Sequence, residues 1–144
     1  MKGGHSVNIL IKNAKVLVFE DGKLLTKEAD IAISGNKISQ IGKIKTEFEF
    51  QKIINARNML AMPGLINAHT HLAMVLFRNY ADDMPLFDWL TKKIWPLEAN
   101  LTPEAIYSGS ILGIAELIKS GVTGFLDMYF FADETIRAAL ETGV

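Results

Sequence analysis

The hydrophobic pattern of the sequence changes near Met62, and this change limits the folds that the chain can adopt. Before Met62, short alternating segments are separated by Asp21-Gly22 and Gly35-Asn36, which are pairs that favour tight hairpin turns. After it, apolar strand-like runs alternate with helix-like segments, as in parallel βα units. We therefore predict an α/β chain in which a β-sheet portion, residues 1–61, precedes two βα units, residues 62–144.

The first portion is predicted to be a small antiparallel sheet with one face in water. A charged stretch, residues 43–52, is predicted to be a connection or an edge strand. The predicted strands are residues 8–12, 14–19, 29–33, 37–42 and 53–55.

In the second portion, Pro63-Gly64 precedes a predicted buried strand, residues 65–68, and a second buried strand is predicted at residues 122–126. A short helix, residues 87–94, is expected to end ahead of Pro96 because proline interrupts helices. A longer helix is expected to begin with Thr102 as N-cap and Pro103 at its first position, with Gly121 just past its end. Asp133 is the predicted cap of a last helix that ends at Gly143. The predicted buried stripes of these two helices are Tyr107, Ile111, Ile114, Ala115 and Ile118, and then Ile136, Ala139 and Leu140.

Composition excludes several classes of function. The chain has no cysteine, which excludes disulfides, thiolate zinc sites and cysteine nucleophiles. It has 15 Lys plus Arg against 16 Asp plus Glu, so no basic surface is expected for nucleic acid or an anionic membrane. No apolar run is long enough for a bilayer. We predict a soluble cytoplasmic protein that binds neither nucleic acid nor membrane.

The pair His69 and His71 is the sharpest chemical feature. Residues two apart on an extended segment point to the same side, so the two imidazoles can converge on one point at the end of the preceding strand. Two neutral imidazoles suit zinc, iron or nickel, although a catalytic metal needs at least one further protein ligand. The residues alone leave a chance arrangement open. His5, near the N-terminus, is assigned no role.

Several segments together resemble one enzyme family. The segment from Met62 to His71 is similar to the first barrel strand of the amidohydrolase superfamily. The closest resemblance is to its methylthioadenosine/S-adenosylhomocysteine deaminase branch, which also includes chlorohydrolase-like enzymes and other nucleoside or base deaminases. The additional matching segments are residues 78–83, 87–90, 95–98 and 121–129.

The resemblance implies a fold and a reaction. The first portion would be part of a β-sandwich, and the second would be the first two βα units of a (β/α)8 barrel. The implied enzyme is a hydrolytic deaminase that converts the amino group of an adenosine derivative to a carbonyl and releases ammonia. His69 and His71 would be ligands of one divalent metal ion, zinc or alternatively iron. The remaining ligands and the acid–base residues have no counterpart in this sequence.

The resemblance also assigns substrate contacts. Glu98 matches a glutamate that accepts hydrogen bonds from ribose hydroxyls, whereas the residue alone would be read as a solvated helix cap. Trp89 is either a packing surface for the purine or thioether, or a core residue. Asp127 either orients a metal-ligand histidine by contacting its ring, or makes a structural hydrogen bond to a neighbouring loop. Other expectations are core positions for Phe87 and Trp95, solvated Asp82 and Asp83, and pairing of Arg78 with either of those aspartates.

Two alternatives stay open. The substrate can be a free base or a triazine, as in guanine or cytosine deaminases and chlorohydrolases, rather than a nucleoside. As given, the 144-residue chain can also be a non-catalytic fragment, since its length is about a third of what the resembled enzymes need and below the roughly 250 residues of a (β/α)8 barrel. A homo-oligomer is compatible with either alternative.

Overall fold

The computed structural model describes residues 8–44 and 49–144, which fall into two compact units, Met1–Pro63 and Gly64–Val144. His5 and part of the charged stretch 43–52 lie outside the described residues. Each unit has its own buried cluster. Among the described residues, no helix is long and apolar enough to cross a membrane.

The first unit is one sheet built around a long strand, β1 (Asn8–Glu20). The other strands are β2 (Lys23–Ser34), β3 (Lys37–Gly42), β4 (Lys52–Asn55) and β5 (Leu60–Ala61). The strand order of the sheet is β3-β2-β1-β4, with β5 also paired to β1. The strands β1, β2 and β3 are antiparallel neighbours, but β4 runs parallel to β1, so the prediction of an antiparallel sheet is wrong for this strand. The strand β5, which was not predicted, is also parallel to β1.

The two hairpin predictions are confirmed. Asp21 and Gly22 have φ angles of 50° and 73°, the left-handed backbone that joins β1 to β2 in a two-residue loop. Residues 8–12 and 14–19, predicted as separate strands, form the single strand β1 with a register shift between Ile11 and Ala14. Asn13 lies in this shift with a φ of 61°, and its backbone N–H donates to Asp30 Oδ1 at 2.8 Å. The Asp30 side chain thus accepts the hydrogen bond of an N–H that lies in the register shift, and β1 pairs with β2 on both sides of it.

The core of the first unit is small. It consists of Ala14, Val16, Ile31 and Ala56. Large apolar side chains lie exposed elsewhere on the sheet, among them Phe19, Leu24, Ile38 and Ile53.

The second unit has the predicted order of strand, helix, strand, helix, with its two strands parallel. Gly64 stands where the two strands begin, and a Cβ there would lie 2.0 Å from Thr123 Oγ1, so only glycine fits this approach. The elements are β6 (Leu65–Thr70), a 3₁₀ helix (Leu72–Phe77), α1 (Leu86–Trp89), a π-helical turn (Leu90–Ile94), α2 (Trp95–Glu98), α3 (Pro103–Lys119), β7 (Val122–Asp127) and α4 (Ala132–Thr142).

The helix predicted for residues 87–94 does not end ahead of Pro96. It continues to Glu98 through the π-helical turn. Proline lacks an N–H and its ring crowds the carbonyl four residues earlier, and a wider turn accommodates both effects without ending the helix. Glu98 therefore lies on the last turn of a helix, not in a loop.

The ends of α3 are as predicted, and its buried stripe is confirmed in part, since Ile114 is buried and Tyr107 and Ile111 pack against the core cluster. Thr102 Oγ1 accepts a hydrogen bond from the Ala105 N–H at 3.2 Å, and Gly121 follows the helix with a φ of 81°. Ala115 and Ile118 are exposed, whereas the buried residues are Ile106, Gly109, Ser110, Gly113 and Ile114. Glycines let the 3₁₀ helix approach closely, so the face with small residues is the packed one.

The same correction applies to α4. Asp133 lies inside its first turn, and the residue that precedes the helix is Phe131, in left-handed conformation. Thr135 and Ala138 are buried, while Ile136 and Leu140 are exposed. Helix α4 packs against α3 through its small face, where the Ser110 and Thr135 hydroxyls hydrogen-bond at 3.0 Å.

The two strands of the second unit are less buried than predicted. Phe125 packs against the helical cluster of Leu72, Ile114 and Ala138. Leu65, Ile66 and Leu126 are exposed, because within the described chain β6 and β7 pair only with each other and the helices pack on one face.

Candidate functional site

The candidate site lies at the carboxyl ends of β6 and β7. The strands are parallel and Thr70 is paired with Asp127, so both strands end at the same edge. His69 is the second-last residue of β6, and His71 directly follows the strand. Their imidazole rings are 5.2 Å apart between centroids. The structure therefore brings the two predicted metal ligands together.

A backbone carbonyl orients His71. His71 Nδ1 lies 2.7 Å from the Met128 carbonyl oxygen. A carbonyl oxygen only accepts hydrogen bonds, so Nδ1 is the donor and Nε2 keeps its lone pair in the neutral ring. This is the arrangement of a metal-binding histidine, whose second ring nitrogen is commonly held by a carbonyl or carboxylate.

The donor set fits a metal only in part. Two imidazoles, one of them oriented, suit zinc or iron. Within the described residues, no third histidine, cysteine, aspartate or glutamate completes a group with them that can hold a metal.

Asp127 contacts the loop that follows His71. Its Oδ1 accepts a hydrogen bond from the Leu72 backbone N–H at 3.1 Å. It thus holds the backbone next to His71. An orienting bond from Asp127 to a ligand imidazole stays a prediction.

Tyr129 contacts Glu98. The sequence alone did not identify it as a site residue. Its hydroxyl donates to Glu98 Oε1 at 2.7 Å. Burial of the ring, the hydrogen bond to Glu98 and the charges of Glu98 and Asp127 raise the pKa of Tyr129 above its ordinary value. The phenol therefore stays protonated and keeps donating. Its position just after β7, matching His71 just after β6, is the sequence signal that could have identified it.

An open cavity of about 590 Å³ joins several of these side chains. His71 and Glu98 supply its polar groups, and Trp89 forms part of its apolar wall. The Trp89 ring is fixed because its Nε1–H donates to the Ala81 carbonyl at 3.1 Å. Asp127 lines a separate cavity of about 370 Å³. The remaining residues of the larger cavity are Met74, Leu86, Leu90, Ile94, Trp95, Met128, Tyr129 and Phe130.

Two aromatic predictions are wrong. Phe87 and Trp95 were expected in the core, but their exposed fractions are 71% and 49%. Their rings contact each other edge to face, with centroids 6.4 Å apart. The residue that this helical segment buries is Ile94, at the end of the π-helical turn.

The partner of Arg78 is also different from the prediction. Its guanidinium binds both carboxylate oxygens of Glu116 on α3, at 2.9 and 2.6 Å. Asp82 and Asp83 are exposed, as expected for solvated loop residues. Sequence spacing could not reveal a pair separated by 38 residues.

The fold and the histidine pair define a class of protein. Residues 60–144 match the model of the amidohydrolase family, and the chain belongs to this family. Within it, the chain is 51% identical over 138 residues to the 5-methylthioadenosine/S-adenosylhomocysteine deaminase of Caldanaerobacter subterraneus subsp. tengcongensis, covering 96% of this chain and 32% of that protein. It is 52% identical over 136 residues to the 5'-deoxyadenosine deaminase of Methanothrix thermoacetophila, covering 94% and 32%. The resemblance found in the sequence is confirmed.

Solved structures agree with this placement. An adenosine deaminase from Xanthomonas campestris with bound zinc has a TM-score of 0.82 and 33% identity, covering 95% of this chain and 32% of that chain. The atrazine chlorohydrolase from Arthrobacter aurescens TC1 complexed with zinc has a TM-score of 0.76 and 29% identity, covering 94% and 34%. The chain spans about a third of the length of these relatives.

Proposed function

We propose that the protein is a metal-dependent hydrolytic deaminase of adenosine derivatives and that this chain carries one part of its active site. The observation that carries the proposal is the shared cavity, in which the oriented imidazole of His71 and the carboxylate of Glu98 face an apolar wall. Such a cavity suits a ligand with a flat ring and a few polar groups. The names of the similar deaminases point to 5'-methylthioadenosine, S-adenosylhomocysteine or 5'-deoxyadenosine.

We also propose that the second portion, residues 62–144, is the start of a (β/α)8 barrel and that the first, residues 1–61, is part of a β-sandwich. Parallel pairing of β6 with β7 and the intervening α3 support the barrel, since each strand is followed by a helix. In such barrels the residues at the carboxyl ends of the strands carry the chemistry, which is where His69, His71 and Tyr129 lie.

His69 and His71 would hold one divalent metal ion, and zinc is favoured over iron because two of the similar structures contain zinc. When bound, such an ion supplies a hydroxide at neutral pH by lowering the pKa of its water. The Met128 carbonyl keeps His71 in the tautomer that can bind, and Asp127 fixes the backbone that follows.

Glu98 would bind the ribose of the substrate. A carboxylate has about four acceptor sites, and two neighbouring hydroxyls of a ribose can donate to it together. The Trp89 ring offers an apolar surface beside it, which suits the purine or the 5'-substituent.

The proposal is tested by ammonia release. The full-length zinc-loaded protein is incubated with 5'-methylthioadenosine, S-adenosylhomocysteine and 5'-deoxyadenosine, and the loss of the adenine absorbance is followed with ammonia production. We expect turnover of at least one of them, abolished in His69→Ala and His71→Ala but retained in Arg57→Ala, an exposed residue of the first unit. Absence of turnover with every adenosine derivative contradicts the proposal.

A second candidate function is hydrolysis of a free base or a triazine, and the structural similarity to the atrazine chlorohydrolase favours it. Glu98 separates the two candidates because a free base has no ribose. With a nucleoside substrate, Glu98→Ala should raise KM about tenfold or more, the effect of losing hydrogen bonds to a charged group. Glu104→Ala, on the exposed first turn of α3, is the control. An unchanged KM in Glu98→Ala favours the free base or the triazine.

A further inference from the structure

Three consecutive residues after β7 each hold a different part of the candidate site. The carboxylate of Asp127 accepts from the Leu72 N–H, and the carbonyl of Met128 accepts from His71 Nδ1. The hydroxyl of Tyr129 donates to Glu98 Oε1. A single short segment therefore connects the metal-binding histidine to the carboxylate on α2.

We propose that Tyr129 is a positioning residue that acts through Glu98, holding its carboxylate in the orientation that receives a vicinal diol of the substrate. This inference rests on the proposed function, because it names the residue that sets the geometry of the ribose contact.

The hydrogen-bond inventory of Glu98 supports the proposal. The carboxylate offers about four acceptor sites, and Tyr129 uses one of them on Oε1. Sites on Oε2 and one on Oε1 remain for two hydroxyls. As the donor, the Tyr129 hydroxyl occupies one fixed site on Oε1 and leaves Oε2 free to accept from the substrate.

Restriction of Glu98 before binding is the physical advantage. A glutamate on the last turn of a helix has three rotatable side-chain bonds, and an unpartnered one loses that freedom when it binds substrate. Tyr129 is itself restrained, since its ring packs 5.9 Å from the His71 ring and 5.2 Å from the Phe130 ring between centroids. The orientation of Glu98 is thereby tied to the metal-binding end of the cavity.

The test is Tyr129→Phe, which removes one oxygen and keeps the ring. The full-length zinc-loaded enzyme is assayed with 5'-methylthioadenosine and with its 2',3'-dideoxy analogue, by turnover or, where turnover is slow, by inhibition constant. We expect KM for the diol substrate to rise about tenfold, with kcat changed by less than about twofold. The constant for the dideoxy analogue should not change. The ratio of the two constants is insensitive to any loss of folded protein.

Tyr107→Phe is the matched control. The Tyr107 hydroxyl also donates to a carboxylate, that of Glu141, but between α3 and α4 and outside the cavity. It should leave both constants unchanged. In a Glu98→Ala background, Tyr129→Phe should add no further loss, because a residue that acts only through Glu98 has nothing left to position.

Three outcomes overturn the inference alone: an equal loss on both substrates, no loss on either, or full additivity with Glu98→Ala. A wild-type enzyme that deaminates no nucleoside overturns the proposed function instead, so the two failures are distinguishable.

Discussion

The ion pair of Arg78 with Glu116 shows how a single residue pair ties two segments of the second unit together. The guanidinium follows the 3₁₀ helix and the carboxylate lies on α3. Its hydrogen bond and charge lower the pKa of Glu116 below the ordinary 4.5, although burial opposes this. A carboxylate whose folded-state pKa is lowered stabilises the fold above its unfolded pKa, and the effect is lost as pH falls through the folded value.

We therefore predict that Glu116→Gln lowers the urea midpoint of unfolding at pH 7. The difference from wild type should shrink as the pH falls below 4.5 and disappear below the lowered pKa of the folded state. The effect should be small, because both side chains are about half exposed, and smaller in high salt. Glu28→Gln, at an exposed position of β2, is the control and should show no such pH dependence. A difference between Glu116→Gln and wild type that persists at low pH would show that packing, and not charge, connects the two segments.

At this scale, the sequence predicted the reactive groups better than their partners. The pair His69 and His71 is visible because the strand period places both rings on one side. The carbonyl of Met128 is not visible, since any residue has one, and its role depends on the pairing of β6 with β7. The partners of Arg78 and Glu98 likewise come from other elements.

At the scale of elements, helix α3 is held by its small residues. A Cβ at Gly109 would lie 3.0 Å from both the Cα and the carbonyl oxygen of Ala73, and 3.1 Å from Leu76 Cδ1. The two contacts with Ala73 are to backbone atoms, which cannot swing away. The hydrophobic period and the capping residues of α3 predicted the helix and its ends. The period also placed Ala115 and Ile118 on the buried face, because it counts apolar residues and does not show where small residues let another helix approach closely.

Gly109→Val should accordingly destabilise the protein by about 1–3 kcal/mol, as overpacking in a close-packed core does. The measurement is the free energy of unfolding of the full-length protein in urea. Ser108→Val introduces the same side chain on the exposed neighbouring position and should change stability by less than about 0.5 kcal/mol. Equal losses in the two variants would mean that helix propensity, and not the contact with Ala73, limits position 109.

At the scale of the whole molecule, apolar surface is the dominant feature. Ile66, Leu126 and Leu140 have exposed fractions of 69%, 66% and 80%. All three lie in the second unit, and a large exposed apolar area is typical of a surface that another part or partner covers. The succession of strand, helix, strand and helix in the second unit could be predicted from the sequence. How much of each strand is buried could not, because burial depends on which elements lie on both faces.

A polypeptide consisting of residues 1–144 alone should therefore bind a hydrophobic dye strongly and show no deamination. Its zinc should be removed by a weak chelator, because two imidazoles fall short of the three protein ligands that catalytic zinc sites have, and the described residues offer no third. Ile66→Thr with Leu126→Thr should reduce dye binding without creating activity, which separates the surface effect from the chemistry. The full-length deaminase of Caldanaerobacter subterraneus, measured in parallel, is the positive control. Stoichiometric zinc that survives the chelator together with ammonia release from a nucleoside would show that the two histidines suffice, and that the division of the active site proposed above is wrong.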